Sequence, residues 1–252
     1  MAQRIALAVA ILVSVSLAGD LSVRAEPVAG AKPRPAKRTA VARPSPSPAS
    51  KSTAALGTLV AHVRPGRVIT LRSGPNGPVV ARLSSRTEFG SGRTFAVTRA
   101  GLRLAVITSE LPNGRVGWLD TGSGSLRFSR TRVTLDVDLS ARELRVRGGG
   151  RVIRRMRVGT GARGTPTPTG RFAITDKLRG SDFSASAYGC CILALSGHQT
   201  SLPRGWTGGD RLAIHEGSTA GAVSTGCLHA AARDLVWLMR SVPLGAQITV
   251  HP

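Results

Sequence analysis

Val133-Thr134-Leu135-Asp136-Val137-Asp138-Leu139 places an apolar residue at every second position. That is the period of a strand with one buried and one wetted face. Leu144-Arg145-Val146-Arg147 continues the pattern and runs into the turn Gly148-Gly149-Gly150. Further strands are expected at Arg155 to Gly159, Arg171 to Thr175, Ile192 to Leu195, Leu212 to His215 and Gln247 to Val250. One segment breaks the rule: Leu228, Ala231 or Ala232, Leu235, Leu238 and Met239 recur at helical spacing, with Arg233, Asp234 and Arg240 facing outward and Pro243 as the stop. Residues 129–252 are therefore expected to form a mostly β domain with one short helix starting just after Cys227.

Upstream, residues 57–128 alternate short apolar runs with turn chemistry. Val68-Ile69-Thr70-Leu71 and Val79-Val80-Ala81-Arg82-Leu83 flank a segment containing Asn76-Gly77, and Asn113-Gly114 precedes Val116-Gly117-Trp118-Leu119. Asn-Gly pairs between such runs are hairpin signals, and strands at this spacing predict a small β-barrel-like accessory domain. The order of Leu71-Arg72-Ser73-Gly74-Pro75 and Gly117-Trp118 resembles bacterial Src-homology-3-like modules, which often sit beside cell-wall enzymes.

Residues 1–25 join Arg4 to an apolar run from Ile5 to Val13 and end in Val23-Arg24-Ala25. This reads as a secretory signal peptide, too short in its apolar part for the roughly 20 residues of a membrane span. An uncleaved signal would instead anchor the chain, and either way the remainder is exported, to the periplasm or cell wall. Residues 26–56 carry six prolines and six basic residues among Ala and Ser, which cannot bury enough surface to order themselves and read as a disordered linker.

Over all 252 residues, 35 Lys+Arg face 13 Asp+Glu, a formal charge of +22, and 41% of residues are hydrophobic. The chain is too apolar for a disordered polycation, and three cysteines are too few for a disulfide scaffold. The charge is spread, +8 in each of 57–130 and 131–252, and aromatics are only 4%. A nucleic-acid binder concentrates charge and interleaves aromatics, so the expected partners are anionic cell-wall polymers or a membrane surface, with no nucleic acid. Plain solvated surface charge accounts for the same composition.

Chemistry concentrates in Ile214-His215-Glu216-Gly217-Ser218 and Ser224-Thr225-Gly226-Cys227-Leu228-His229. A histidine ending a strand and a cysteine opening a helix suit a thiol nucleophile, because a helix N-terminus or a neighbouring imidazolium lowers the thiol pKa. Gly226 permits a sharp turn, and the amides around Thr225 to Cys227 can face a developing oxyanion.

Val158-Gly159-Thr160-Gly161, Thr165-Pro166-Thr167-Pro168-Thr169-Gly170-Arg171-Phe172, Tyr188-Gly189, Ser196-Gly197-His198, Gly208-Gly209-Asp210, Ile214-His215 and Ser224-Thr225-Gly226-Cys227 follow one another in this order. Residues 131–252 thereby resemble L,D-transpeptidase catalytic domains of the YkuD-like type, which implies a β-sandwich for the C-terminal domain. The resemblance implies that Cys227 attacks the carbonyl of the third residue of a peptidoglycan stem tetrapeptide, expels D-alanine and passes the acyl group to an amine of another stem. It makes His215 the general base, assigns the oxyanion loop to Ser224, Thr225 and Gly226, and calls for no metal or other cofactor. Tyr188, His198, Glu216 and His229 are candidate substrate contacts, and Arg171 or Arg211 could hold stem carboxylates.

Thr225 stands where many members have His, His229 where they commonly have Arg or Asn, Glu216 where Gly or Ser is usual, and the His215 to Ser224 interval is short. These departures bear on substrate contacts and acceptor choice, while the Cys-His pair remains. An L,D-carboxypeptidase of the same fold and a non-catalytic wall-binding protein are the alternatives. A zinc site of His215, Cys227 and His229 lacks a paired-ligand spacing and an evident fourth ligand. Cys190-Cys191 reads either as two small apolar residues near the cleft or as the source of a regulatory disulfide to Cys227.

Overall fold

The computed structural model describes residues 57–122, 124–183 and 185–252; the signal-peptide and linker readings fall outside these residues. Seven strands come first: β1 (Thr58–Val63), β2 (Val68–Arg72), β3 (Val79–Ser84), β4 (Thr94–Arg99), β5 (Arg103–Ile107), β6 (Val116–Asp120) and β7 (Leu126–Thr131). They form an antiparallel sheet in the order β3-β2-β6-β5-β4-β1-β7. Every strand gives side chains to one core, among them Val63, Leu71, Leu83, Phe95, Val106, Leu119 and Leu126. A sheet that turns one face onto a single core must curl, which brings it near to a barrel. The two Asn-Gly segments connect β2 to β3 and β5 to β6, with Ser73 N–H donating to Pro78 O and Arg115 N–H to Pro112 O.

The second sheet contains β8 (Val133–Asp138), β9 (Glu143–Gly148), β10 (Arg151–Arg157), β12 (Gly170–Arg179), β13 (Cys191–His198), β14 (Arg211–Glu216), β16 (Leu228–Ala230) and β17 (Gln247–His251). Its order is β10-β9-β8-β17-β12-β13-β14-β16. The short β11 (Thr160–Gly161) and β15 (Ala222–Ser224) pair separately in parallel. The alternation of β8 is realised directly: Leu135 and Val137 are buried opposite Val146 and Leu144, while Asp136 lies opposite Arg145 and forms an ion pair with it.

The helix spans Ala232–Ser241 and buries Leu235 and Leu238 in the second core. It starts later than its sequence pattern suggests. Leu228 satisfies helical spacing, yet Leu228–Ala230 is claimed as β16 by parallel pairing with β14. Cys227 thus precedes a strand and does not sit at a helix N-terminus. A single helical turn, Ala185–Tyr188, precedes β13. No helix of the described residues is long and apolar enough to cross a membrane.

The two sheets meet around buried Ala96, Ile107 and Ala173. Polar bonds cross the same junction. Thr87 Oγ1 donates to Asp176 Oδ1, Asn113 Nδ2 donates to His198 O at 2.7 Å, and His198 N–H returns a bond to Asn113 Oδ1 at 2.9 Å.

Candidate active site

Parallel pairing of β14 with β16 aligns Ile214 with Leu228 and His215 with His229. Side chains two apart in a strand share a face, so Ala213 and His215 project from the same side of the sheet as Cys227 and His229. All four line one cavity of about 480 Å³, together with Tyr188, Ser224 and Thr225. A cysteine and a histidine 12 positions apart are thus neighbours because two strand ends run side by side.

His215 is buried, 7% exposed. Its Nδ1 is 2.9 Å from Glu216 O, and since a carbonyl only accepts, Nδ1 carries the proton and Nε2 keeps a free lone pair. Burial pulls the imidazole down to about 4, against the upward pull of the Glu216 carbonyl and with a lesser downward push from His229. Burial also pushes the Cys227 thiol up, and a backbone hydrogen bond from Ala213 only partly opposes it. The resting pair is therefore a neutral thiol beside a neutral imidazole. The expectation of a thiol lowered by a helix start or an imidazolium does not hold, because the helix begins five residues later and the site desolvates both charged forms.

Ser224 Oγ donates to Cys227 O and accepts from Gly226 N–H at 3.1 Å. This side chain braces the turn, and it occupies the Gly226 amide. Gly226 has φ +112°, and a methyl group there would run into Gln199 Nε2, so the position suits only glycine. Gln199 itself gave no signal in the sequence. Its Nε2 donates to Pro166 O and to Thr225 O, both at 3.0 Å, while Thr165 Oγ1 donates to Ser224 O at 3.0 Å. The Thr-Pro-rich segment is thereby fastened to the cysteine loop.

The candidate contacts separate into two groups. Tyr188 and His229 line the cavity, with ring centroids 5.0 and 4.8 Å from that of His215. His229 Nδ1 is buried with no hydrogen-bond partner. His198 lies outside the cavity lining: its ring bonds Ser109 O at 2.7 Å and Asp210 at 3.0 Å, which ties it to the junction between sheets. Glu216 accepts from Cys190 N–H at 3.2 Å and packs under Gly189, bracing the turn that carries Tyr188. Arg211 lines the cavity but is committed to Glu88, Thr175 and Leu195, and Arg171 bonds Gln247 in a separate groove. Cys190 and Cys191 are disulfide-bonded to each other and Cys227 is free, so the pair is neither two free apolar residues nor bridged to Cys227.

Four of the nine aromatic side chains, Phe89, Phe183, Tyr188 and Trp206, line this cavity. A scarce residue type gathered at one place marks a surface that needs apolar faces. Composition hid this, because the four come from three separate segments of the chain.

Residues 132–250 match the family model described as the L,D-transpeptidase catalytic domain, YkuD. Among solved structures, an L,D-transpeptidase from Mycobacterium smegmatis is 20% identical, covers 54% of this chain and 73% of its own, and gives a TM-score of 0.37. An Enterococcus faecium L,D-transpeptidase is 21% identical at a TM-score of 0.33; the match covers 47% of this chain and 49% of the enterococcal one, so this chain spans about half of that protein. A third, an L,D-transpeptidase in complex with imipenem, is 20% identical, with 54% and 73% covered and a TM-score of 0.37. No curated protein matches the chain.

Proposed function

With residues 132–250 carrying an L,D-transpeptidase-type catalytic domain, we propose that the protein is a cysteine-dependent acyltransferase that cross-links peptidoglycan stem peptides and releases D-alanine. The observation that carries this reading is the parallel register of β14 and β16, with His215 and Cys227 on one face at a common cavity. The Glu216 carbonyl acts as the orienting third group, since it fixes the tautomer that leaves Nε2 free to take a proton.

Each step balances through these two side chains. As Cys227 Sγ attacks the donor carbonyl, its proton passes to His215 Nε2. Collapse of the tetrahedral species breaks the C–N bond, and His215 returns the proton to the departing D-alanine amine. A thioester remains. An acceptor amine then attacks the thioester, His215 takes its proton, and the thiol leaves and is reprotonated. Because the resting pair is neutral, proton transfer accompanies attack. With the Gly226 amide held by Ser224, the oxyanion role falls to the amides of Thr225 and Cys227. Tyr188 and His229 supply the nearest substrate contacts, and His198 and Glu216 support the site from behind.

Export to the periplasm or cell wall fits this substrate, and the +22 charge would favour residence near anionic wall polymers. Incubation with tetrapeptide-containing peptidoglycan followed by mass analysis of muropeptides tests the reading. New dimers with free D-alanine support transpeptidation, whereas tripeptides alone identify a carboxypeptidase. A carbapenem adduct on Cys227, absent in Cys227→Ala, is also expected; a folded protein showing neither adduct nor turnover is a non-catalytic wall binder.

A further inference from the structure

Among the described residues, Phe89 is the one residue of the first sheet region that lines the cavity holding Cys227 and His215. Its loop, between β3 and β4, is closed on itself before it meets the second sheet. Thr87 N–H donates to Ser91 O at 2.9 Å, Gly90 N–H to Thr87 O at 3.1 Å, and Arg86 Nη1 to Gly90 O at 2.7 Å. Three contacts then anchor it across the junction. Thr87 bonds the fully buried Asp176, Glu88 pairs with Arg211, and the Arg211 guanidinium lies 5.7 Å from the Phe89 ring centroid. Arg211 is itself fixed by Nη2 bonds to Thr175 Oγ1 at 2.8 Å and Leu195 O at 2.6 Å. The ring then meets Phe183 edge-on at 5.9 Å, Phe183 meets Tyr188 at 6.5 Å, and Tyr188 meets His215 at 5.0 Å.

We propose that Phe89 is a specificity-determining residue of the substrate cleft, forming the apolar wall against which the carbon surface of the donor stem peptide lies. The wall is preorganised, since the loop spends its polar groups on itself and on the second sheet, and only the ring is left to face the cavity. Phe183 is 48% exposed and Trp206 45% exposed on the same cavity, with the Trp206 indole N–H already donated to Gly209 O. What these rings offer a ligand is therefore π-face and edge, which suits aliphatic and peptide-backbone carbon. A sheet that sequence reading treats as an accessory module thereby completes the site. This inference deepens the proposed reaction and rests on it for the identity of the donor.

The test uses full-length protein and a disaccharide tetrapeptide. Phe89→Ala is expected to raise KM for the donor about tenfold with kcat within about twofold, and Phe89→Tyr to restore it, as loss and return of a buried ring contact would. Val60→Ala, which trims the junction contact at Gly245 away from the cavity, should leave KM unchanged. An unchanged KM in Phe89→Ala, or an equal rise in Val60→Ala, overturns the role of Phe89 while the proposed reaction stands. If wild type turns nothing over, the Kd of the tetrapeptide for Cys227→Ala protein decides. Weaker binding on adding Phe89→Ala upholds the wall and sinks the reaction, and absence of any binding sinks both.

Discussion

At the residue scale, the neutral Cys227–His215 pair sets the pH behaviour. His215 must be unprotonated to take the thiol proton, so kcat/KM should hold from neutral pH down to about 5 and fall through about 4, where its imidazole charges. Alkylation of Cys227 by iodoacetamide should show no plateau between pH 5 and 7, climbing about tenfold per pH unit and levelling off only above the ordinary thiol value of 9.0. A plateau in the acidic range would mean a resting thiolate and contradict the desolvated pair. The same group affects stability. Its folded pKa lies below the unfolded 6.5, so its contribution is complete above pH 6.5 and is lost as pH falls toward about 4. The linkage amounts to roughly 3 kcal/mol, readable as a drop in denaturation midpoint across that window that His215→Gln abolishes. Gly226→Ala should cost about 1–3 kcal/mol from backbone strain at its positive φ and displace Gln199, with turnover falling more than stability.

At the scale of elements, the helix Ala232–Ser241 has Ala231 at its N-cap, in extended backbone with no side-chain cap. Ala231→Ser should supply the missing acceptor, add about 1 kcal/mol and raise Tm by about 2–4 °C without altering turnover; an unchanged Tm would show that the end is already satisfied. The helix was legible in the sequence because Leu235, Leu238 and Met239 sustain a 3.6-residue period. Its start was not, because Leu228-His229-Ala230 is too short for strand alternation to show, and its pairing with β14 is a long-range event. The strands of the second sheet were legible for the opposite reason: β8, β9 and β17 alternate buried and less buried residues in local order, and β12, β13 and β14 are runs buried on both faces. That Cys227 and His215 belong together was legible from motif and residue type, and the two line one cavity. Gln199, Phe89, Phe183 and Trp206 were not legible, since their roles depend on which loops the topology brings to one cavity.

At the scale of the molecule, the junction between the sheets is both apolar and hydrogen-bonded. Val60 of the first sheet packs on Gly245 of the second so closely that a methyl there would overlap it. Two units that share buried residues should melt together. Calorimetry is expected to show one transition for wild type; separate transitions would mean that the junction does not couple them. Thr87→Val should weaken the coupling by about 1–3 kcal/mol, because Asp176 Oδ2 already has no partner and the variant leaves Oδ1 bare as well.

The bond between Cys190 and Cys191 also sets the thiol stoichiometry of the chain. All three cysteines fall within the described residues, two are consumed by that bond, and the third is Cys227. The oxidised protein, unfolded in denaturant, should therefore titrate with one equivalent of Ellman's reagent and the reduced protein with three. In the native state a maleimide dye then has a single address, in the lining of the cleft, and occupancy of the cleft can be followed without engineering a labelling site.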